Sequence, residues 1–252
     1  MKLSIVIPAY NEERRIKPSI CQVLSFIQKL DRETEIIVVN DGSRDKTAEI
    51  LESFEDTIRI INVYPNKGKG NAVKEGMLAA TGDFVLFMDV DLATPLSEVA
   101  RFYQLANKGH TEIVIGLRDL HQRNVRRTFL RAIASKMFKF FTNAFMSLGV
   151  RDSQCGFKMF PRQTIPLIFN LTKIERWSFD LEIIFLARKY KVKIVEIPVE
   201  WQEMGKSKMR LWWDAFVMLR DIFMIKYYNF AGYYNLSPEI GERYYELFQR
   251  SK

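Results

Sequence analysis

The first half of the chain alternates short runs of β-branched and aromatic residues with segments whose apolar residues recur at helical spacing. The five strand-like runs are Leu3–Ile7, Glu35–Asn40, Ile58–Val63, Phe84–Met88 and Ile113–Gly116. The four helical segments between them are Glu12–Leu30, Lys46–Phe54, Gly70–Ala80 and Leu96–Ala106. Strands that are apolar almost throughout and alternate with helices are typical of a mostly parallel sheet covered on both faces. The pattern therefore predicts an α/β fold.

The second half of the chain is less regular. It predicts a long helix near Arg127–Leu148, a strand near Gly156–Phe160, a helix near Phe179–Tyr190 and a strand at Lys193–Ile197. No linker and no internal repeat interrupts the chain. We expect one α/β domain over residues 1–210 and a helical C-terminal extension over residues 211–252.

Polar and acidic residues follow the predicted strands at the points where the strands end. They include Glu12, Asp41, Asp89, Asp91 and Arg118. In parallel sheets, ligands bind beyond the carboxyl ends of the strands, so these residues are the first candidates for a site.

Asp89 and Asp91 form the most informative pair. On extended backbone, residues two apart face the same side, roughly 6–7 Å from each other. Two carboxylates held at a buried strand end repel each other, and a divalent cation removes that repulsion. Oxygen ligands suit Mg²⁺ or Mn²⁺, which bind one or two carboxylates together with substrate phosphates. A helix-capping aspartate beside a solvated one fits the same spacing.

The segment Asn66–Asn71 has the composition of a phosphate-binding loop but matches no standard pattern. The G-x-x-x-x-G-K-[ST] motif is absent, and Val73 stands where a dinucleotide-binding fingerprint requires its third glycine. The sequence supports neither a P-loop ATPase nor an NAD enzyme. A flexible turn with Gly70 at the start of a helix explains the segment equally well.

Composition narrows the class of partner. The 252 residues carry 38 Lys and Arg against 30 Asp and Glu, and this formal charge of +8 favours anionic partners such as nucleotide phosphates, nucleic acid or an anionic membrane. With two His, and with Cys21 and Cys155 far apart, no His-rich or Cys-rich metal site is expected. The sequence has no secretory signal pattern and no uncharged apolar stretch of about 18 residues. These features predict a cytoplasmic or peripheral protein.

Four segments in order, Ser4–Glu12, Val38–Ser43, Asn66–Ala72 and Asp89–Asp91, resemble the motifs of the inverting GT-A glycosyltransferases of family 2. Two later segments, Arg151–Lys158 and Trp177–Glu182, look like the branch that glycosylates polyprenyl phosphates, the dolichyl-phosphate glucose and mannose synthases. The resemblance implies a GT-A (Rossmann-like) catalytic domain over residues 1–210. It also implies a hexosyltransferase that uses a nucleotide-sugar donor and a polyprenyl or dolichyl phosphate acceptor.

The resemblance also assigns donor-binding residues. Those expected to hold the nucleotide base and ribose are Pro8, Tyr10, Glu12, Val39 and Asp41. Asp89, Val90 and Asp91 are expected at the diphosphate, with Asp89 and Asp91 as ligands of Mg²⁺ or Mn²⁺. Lys208 belongs to a segment that looks like the family's loop over the diphosphate, and it would reach the phosphates.

The residues after the acidic pair bear on the sugar. Mannose synthases usually have Gln two positions after the second Asp, where this chain has Ala93, and Asp91–Thr94 instead resembles the glucose-synthase pattern. We therefore expect UDP-glucose as the donor, with GDP-mannose as the alternative.

The acceptor phosphate is expected at Arg118, Arg131 and Ser135, which match basic and hydroxyl positions of the family. A phosphomonoester is already a dianion at neutral pH, so it attacks without a general base. Arginines reduce its repulsion from the donor diphosphate, and we expect a single displacement with inversion. A solvated basic helix face is the alternative explanation for Arg131 and its neighbours.

Asp180 has two interpretations. It lies where relatives that use a hydroxyl acceptor place their catalytic base, so it is a candidate catalytic residue together with Asp89 and Asp91. It also fits an acidic residue at a helix N-terminus. An essential base would favour the alternative function, transfer to a sugar hydroxyl or another soluble acceptor.

The aromatic residues between Met209 and Tyr234 lie near basic residues, an arrangement that suits a membrane interface. This predicts peripheral attachment to the cytoplasmic face of a membrane, and an aromatic core helix explains the pattern equally well. A basic module that binds nucleic acid would account for the charge but not for the acidic strand-end pair, so no nucleic acid partner is expected.

Overall fold

The computed structural model describes residues 1–30, 32–109, 112–118, 146, 148–202 and 211–237. Three predicted site residues, Arg131, Ser135 and Lys208, lie outside the described residues, as does nearly all of the predicted helix near Arg127–Leu148.

One seven-stranded sheet forms the centre of the molecule. Its strands are β1 (Leu3–Ala9), β2 (Thr34–Asn40), β3 (Arg59–Asn62), β4 (Phe84–Met88), β5 (Ile113–Arg118), β6 (Phe157–Pro161) and β7 (Ile194–Val199). The spatial order is β3-β2-β1-β4-β6-β5-β7. Strand β6 is antiparallel to its neighbours β4 and β5, and the other adjacent pairs are parallel. The prediction of a mostly parallel sheet is confirmed.

The helices in the described ranges are α1 (Ile16–Ile27), α2 (Thr47–Glu52), α3 (Lys69–Ala79), α4 (Glu98–Gly109), α5 (Thr164–Phe169), α6 (Phe179–Lys189) and α7 (Leu211–Phe230). Helix α1 begins four residues later than the pattern predicted. Pro18 falls in its first turn, where the missing N–H costs no helical hydrogen bond. The short helix α5 was not predicted.

Successive side chains of the central strands enter two cores, one on each face of the sheet. Along β1, Val6 belongs to the core covered by α3, α5, α6 and α7, whereas Ile5 and Ile7 belong to the core covered by α1, α2 and α4. This alternation is the two-residue period of a strand. Each such fully buried side chain stabilises the fold by about 1.5–3 kcal/mol.

Helix α3 lies directly on the sheet because Gly76 has no side chain. A Cβ at Gly76 would collide with Val6, and it would approach Val39 Cγ2 to 2.9 Å. This close approach brings the N-terminus of α3, with Lys69, to the carboxyl ends of β1 and β4.

Candidate active site

Asp41 fixes the glycine-rich segment at the edge of the sheet. It follows β2 directly and is 2% exposed. Its carboxylate accepts hydrogen bonds from the N–H groups of Lys67 (3.0 Å) and Gly68 (2.8 Å) and from the side-chain amide of Asn66 (2.6 Å). These bonds give Asp41 a direct role in positioning the segment.

Lys69, the first residue of α3, lies against Asp89. Its Nζ atom is 2.5 Å from Asp89 Oδ1, and about three-quarters of its side chain is buried. On the other side, Asp89 rests on bare backbone, because a Cβ at Gly156 would collide with Asp89 Oδ2. The Asp89 N–H also donates to the Gly156 carbonyl (3.2 Å). Lys69 and Gly156 together determine where the Asp89 carboxylate lies.

Asp91 is held by the chain that follows it and by Arg15, the residue just before α1. Its Oδ1 accepts a hydrogen bond from the Ala93 N–H (3.1 Å), and its Oδ2 lies 4.0 Å from Arg15 Nη1. The Arg15 guanidinium is fixed by Glu12 through bonds of 2.7 and 3.0 Å. Burial and the neighbouring negative charge of Asp89 raise the pKa of Asp91. Asp91 is thus fixed within reach of the charge of Asp89.

Asp180 lies in the first turn of α6 and faces Lys158 of β6. Lys158 is fully buried, and its Nζ donates to Asp180 Oδ1 (2.5 Å) and to the Cys155 carbonyl (2.5 Å). Burial raises the pKa of Asp180, while the charges of Lys158 and Lys69 oppose that rise. Asp180 is therefore bound through one of its carboxylate oxygens in a buried ion pair.

Glu182, two residues after Asp180 in the first turn of α6, has a structural role. It is fully buried and accepts hydrogen bonds from the N–H groups of Lys173 and Ile174 (2.8 Å each) and from the Tyr234 hydroxyl (2.5 Å). The carbonyl of Glu175 in turn accepts the N–H of Asn71 in α3 (3.1 Å). Glu182 thereby fixes the loop before α6, and that loop bonds the first turn of α3.

Arg118, at the end of β5, forms a bidentate pair with Asp152. Its Nε and Nη2 atoms donate to the two Asp152 oxygens at 2.6 and 2.7 Å, and its guanidinium carbon lies 5.7 Å from the centre of the Trp201 ring. Burial alone would raise the pKa of Asp152, but the bonds from Arg118 outweigh it and lower that pKa. Arg118 is thus held rigidly at the sheet edge.

Trp201 also connects Arg118 to the acidic pair. It lines a small pocket whose other walls are Met88, Asp89, Leu92, Ala93, Thr94, Gly156 and Phe157. The N–H of Gln202 donates to the Ala93 carbonyl (2.9 Å), which joins the end of β7 to the chain after the pair. The pocket therefore lies between Asp89 and Trp201, the residue on which Arg118 rests.

The remaining predicted donor residues lie at the ends of β1, β2 and β4. Pro8 of β1 is paired in register with Val39 of β2, and both are buried. Val90 is 7% exposed, whereas Tyr10 is 36% exposed at the same edge. The Val39 side chain lies beneath α3, so the structure gives it a packing role.

Comparison with known proteins decides the family. The sequence-family model described as glycosyl transferase family 2 matches residues 4–166, which is more than half of the chain. The chain belongs to glycosyl transferase family 2. The matched residues extend from β1 into α5 and include the acidic pair, Lys69 and Lys158.

The relatives of this family 2 chain include dolichyl-phosphate β-glucosyltransferases. The Drosophila melanogaster protein is 36% identical, with 89% of this chain and 74% of the relative covered. The Saccharomyces cerevisiae protein is also 36% identical, covering 92% and 76%. The Homo sapiens protein is 31% identical, covering 93% and 78%.

Among solved structures, glucosyl-3-phosphoglycerate synthase from Mycobacterium tuberculosis has the same fold. Its complex with Mn²⁺, UDP and glucosyl-3-phosphoglycerate matches with a TM-score of 0.65 at 17% identity, covering 89% of this chain and 78% of the synthase. At this identity the match supports the fold only. The expected GT-A architecture of this family 2 enzyme is confirmed.

The carboxylate oxygens of Asp89 and Asp91 are suitable ligands for a divalent cation. In the described part of the chain, no three His, Cys, Asp or Glu side chains cluster as a metal site of their own. Asp89 and Asp91 supply two carboxylates, and a cation beside them would offset the burial and the repulsion that together raise the pKa of Asp91. Mg²⁺ and Mn²⁺ commonly bind one or two carboxylates plus substrate phosphates.

Sequence reasoning missed the role of four residues in this family 2 site. Lys69, Lys158 and Asp152 are the ionic partners of Asp89, Asp180 and Arg118, and Gly156 makes room for Asp89. Lys158 carried a usable signal, because a charged residue in the middle of an apolar strand is buried only when it is paired. The other partners depend on contacts between segments far apart in the sequence.

Proposed function

We propose that this family 2 enzyme transfers glucose from UDP-glucose to dolichyl phosphate and inverts the anomeric configuration. The observation that carries the proposal is the acidic pair at the carboxyl end of β4, in a chain 36% identical to a dolichyl-phosphate β-glucosyltransferase. The glucose-type run Asp91–Thr94 supports the same donor.

The donor lies at the carboxyl ends of β1, β2 and β4 in this proposal. The residues proposed to line or position the nucleotide end of the donor are Pro8, Tyr10, Glu12, Val39 and Asp41. Asp89 and Asp91 would hold Mg²⁺ or Mn²⁺, and Val90 separates the two in the sequence. A bound cation of this kind acts as a Lewis acid on the departing diphosphate.

The acceptor phosphate lies near Arg118, together with Arg131 and Ser135, which fall outside the described residues. The Nε and Nη2 groups of Arg118 both donate to Asp152. These two bonds set the orientation of the guanidinium group. Lys208, also outside the described residues, is proposed to reach the donor phosphates.

The reaction is a single displacement. An oxygen of the acceptor phosphate dianion bonds to the anomeric carbon, and the bond from that carbon to the UDP oxygen breaks with its electron pair leaving on UDP. No proton has to be removed from the nucleophile, because the phosphate is already ionised. The ion pair of Asp180 with Lys158 agrees with this, since a group bound in this way is poorly placed to act as a base.

We also propose peripheral attachment to the cytoplasmic face of a membrane. No helix in the described ranges is both long and apolar enough to cross a bilayer. Helix α7 and the turn after it expose Phe216, Phe223, Tyr227, Phe230 and Tyr233, of which Phe230 is 91% exposed. Aromatic side chains of this kind suit the interface where a lipid acceptor lies. Cys21 and Cys155 are both free thiols, which fits a reducing compartment.

A donor and acceptor panel tests the proposed function. Purified protein is incubated with Mg²⁺ or Mn²⁺, UDP-glucose or GDP-mannose, and dolichyl phosphate or dolichol. We expect a β-linked lipid product from UDP-glucose and dolichyl phosphate only. A product from GDP-mannose would overturn the sugar assignment, and transfer to dolichol or to a soluble hydroxyl would overturn the acceptor. Asp89→Asn serves as the inactive control.

A further inference from the structure

Four charged side chains alternate in sign beside the carboxyl end of β4. Lys69 Nζ lies 2.5 Å from Asp89 Oδ1, and Lys158 Nζ lies 2.5 Å from Asp180 Oδ1. Both ammonium groups lie over the Phe87 ring, at 5.4 Å for Lys69 and 5.7 Å for Lys158. The charges of Asp89 and Asp180 both raise the pKa of Lys69, although burial opposes them. Lys69 therefore lies within the electrostatic reach of two carboxylates.

The strand register explains this arrangement. Lys158 of β6 pairs directly with Phe87 of β4, and Asp89 follows two residues after Phe87 on the same face. Helix α3 brings Lys69, and α6 brings Asp180, to that face. The four charged side chains thus come from α3, α6, β6 and the residue after β4, and they meet at one end of the sheet.

The two lysines differ in freedom. Lys158 is fully buried and bonds Asp180 and the Cys155 carbonyl, so it has no room to move. Lys69 is 24% exposed and reaches Asp89 through a flexible four-carbon stem. Of these two lysines, only Lys69 has both a partner that another cation can take and access to solvent.

We propose that Lys69 is an exchangeable counter-ion of Asp89. In the nucleotide-free protein, Lys69 neutralises Asp89; when a divalent cation binds, the cation takes over the Asp89 carboxylate, and Lys69 withdraws from it while remaining within the field of Asp180. Lys158 is the positioning residue of this exchange, because its buried ion pair fixes the Asp180 carboxylate. The inference rests on the proposed function for the presence of the cation but not for the sugar or the acceptor.

The exchange has a direct consequence for cation affinity. Two cations compete for one carboxylate, so Lys69 weakens the binding of Mn²⁺ when no nucleotide is present. Removing its charge leaves Asp89 and Asp91 without that competitor. Lys69→Met keeps the length and apolar stem of the side chain, whose end lies over the Phe87 ring, and should preserve the fold.

The test measures Mn²⁺ binding to nucleotide-free protein by the electron paramagnetic resonance signal of free Mn²⁺. We expect Lys69→Met to bind Mn²⁺ about fivefold more tightly than the wild type, the equilibrium effect of losing an ion pair of ordinary strength. Lys69→Arg retains the charge and should remain close to the wild type. Lys67→Met removes an exposed charge from the same segment and should have no effect, which separates direct competition from a general change in charge.

Asp180→Asn should change the affinity in the opposite direction. Without the charge of Asp180, Lys69 stays on Asp89, so Mn²⁺ should bind severalfold more weakly. Unchanged or weaker binding by Lys69→Met in a protein that melts normally would overturn the exchange. Glucosyl transfer is scored separately: transfer without the affinity change rejects the exchange alone, and the affinity change without transfer to dolichyl phosphate rejects the proposed function alone.

Discussion

At the scale of single residues, the charged groups of the site occur as pairs, and each pair limits what its members can do chemically. Asp180 is the clearest case, because Lys158 occupies one of its oxygens in a fully buried setting. Asp180→Asn keeps a hydrogen-bond acceptor for Lys158 but removes any basicity. We expect turnover at saturating cation and donor to fall by less than about tenfold, because removing a true general base costs about 10²–10⁴-fold.

Turnover by Asp180→Asn is compared with that of Asp89→Asn, measured with the same lipid acceptor. A loss of a thousandfold or more in Asp180→Asn, with normal donor binding, would show that Asp180 is an obligatory base. That result would favour a hydroxyl acceptor over a phosphate.

The pair of Arg118 and Asp152 predicts a pH-dependent stability. The pKa of Asp152 is lowered in the folded protein, so its pairing stabilises the fold above the pKa of the unfolded chain and is lost as the pH falls through the folded value. We expect Asp152→Asn to lower the free energy of unfolding by about 1–3 kcal/mol at pH 7. The difference from wild type should shrink below about pH 4, where aspartate ordinarily becomes protonated.

Urea unfolding at pH 7 and at pH 3.5 measures this effect, with Asp56→Asn as an exposed control. A difference between variant and wild type that grows on acidification would contradict the assignment. The same variant should raise the KM for dolichyl phosphate more than that for UDP-glucose, because Arg118 is proposed to face the acceptor.

Much of the site at this scale was predictable, and the reason is its order along the chain. Asp89 and Asp91 were identifiable because they follow an apolar strand at a spacing of two. Lys69 and Asp152 were not identifiable as partners, because 20 and 34 residues separate them from the groups they bind. Such contacts depend on strand order, and the reversed strand β6 was not specified by the hydrophobic pattern.

At the scale of elements, strands were predicted more accurately than helix ends. Strand β4 matches its predicted bounds because apolar residues fill it completely and polar residues end it. Helix α5 escaped prediction because six residues are too few to establish a helical period, and Pro166 within it resembles a break.

Helix α7 carries the prediction that belongs to this scale. Its exposed aromatic side chains are proposed to contact the membrane, so Phe223→Ser combined with Tyr227→Ser should reduce binding to vesicles that contain anionic lipid by about tenfold. Co-sedimentation measures the bound fraction. Ser substitution of Tyr64, which is 89% exposed far from α7 in the sequence, is the control. Equal binding by the double variant and the wild type would exclude α7 as the contact.

At the scale of the whole molecule, the C-terminal extension shares a core with the rest of the fold. Ile222 and Ile225 of α7 and Tyr234 after it belong to the same buried cluster as Ile183 and Ile184 of α6. We retain residues 1–210 as a proposed catalytic domain and residues 211–252 as its extension. These contacts predict that the domain depends on the extension for stability.

A matched substitution tests this dependence without truncation. Tyr234→Phe keeps the ring but removes the hydroxyl that donates to buried Glu182, so the free energy of unfolding should fall by about 1–3 kcal/mol. Tyr233→Phe, at an exposed neighbouring position, should change it little. A lower free energy of unfolding in both variants, or in neither, would show that the contact with Glu182 does not couple the extension to the domain.

The account as a whole depends on a cation held by Asp89 and Asp91 that receives the donor diphosphate. Isothermal titration of UDP-glucose into the wild type, Asp89→Asn and Asp91→Asn, with and without Mn²⁺, tests this most directly. We expect Mn²⁺ to strengthen UDP-glucose binding to the wild type at least tenfold and to have no such effect in either variant. Equal strengthening by Mn²⁺ in all three proteins would contradict the central claim.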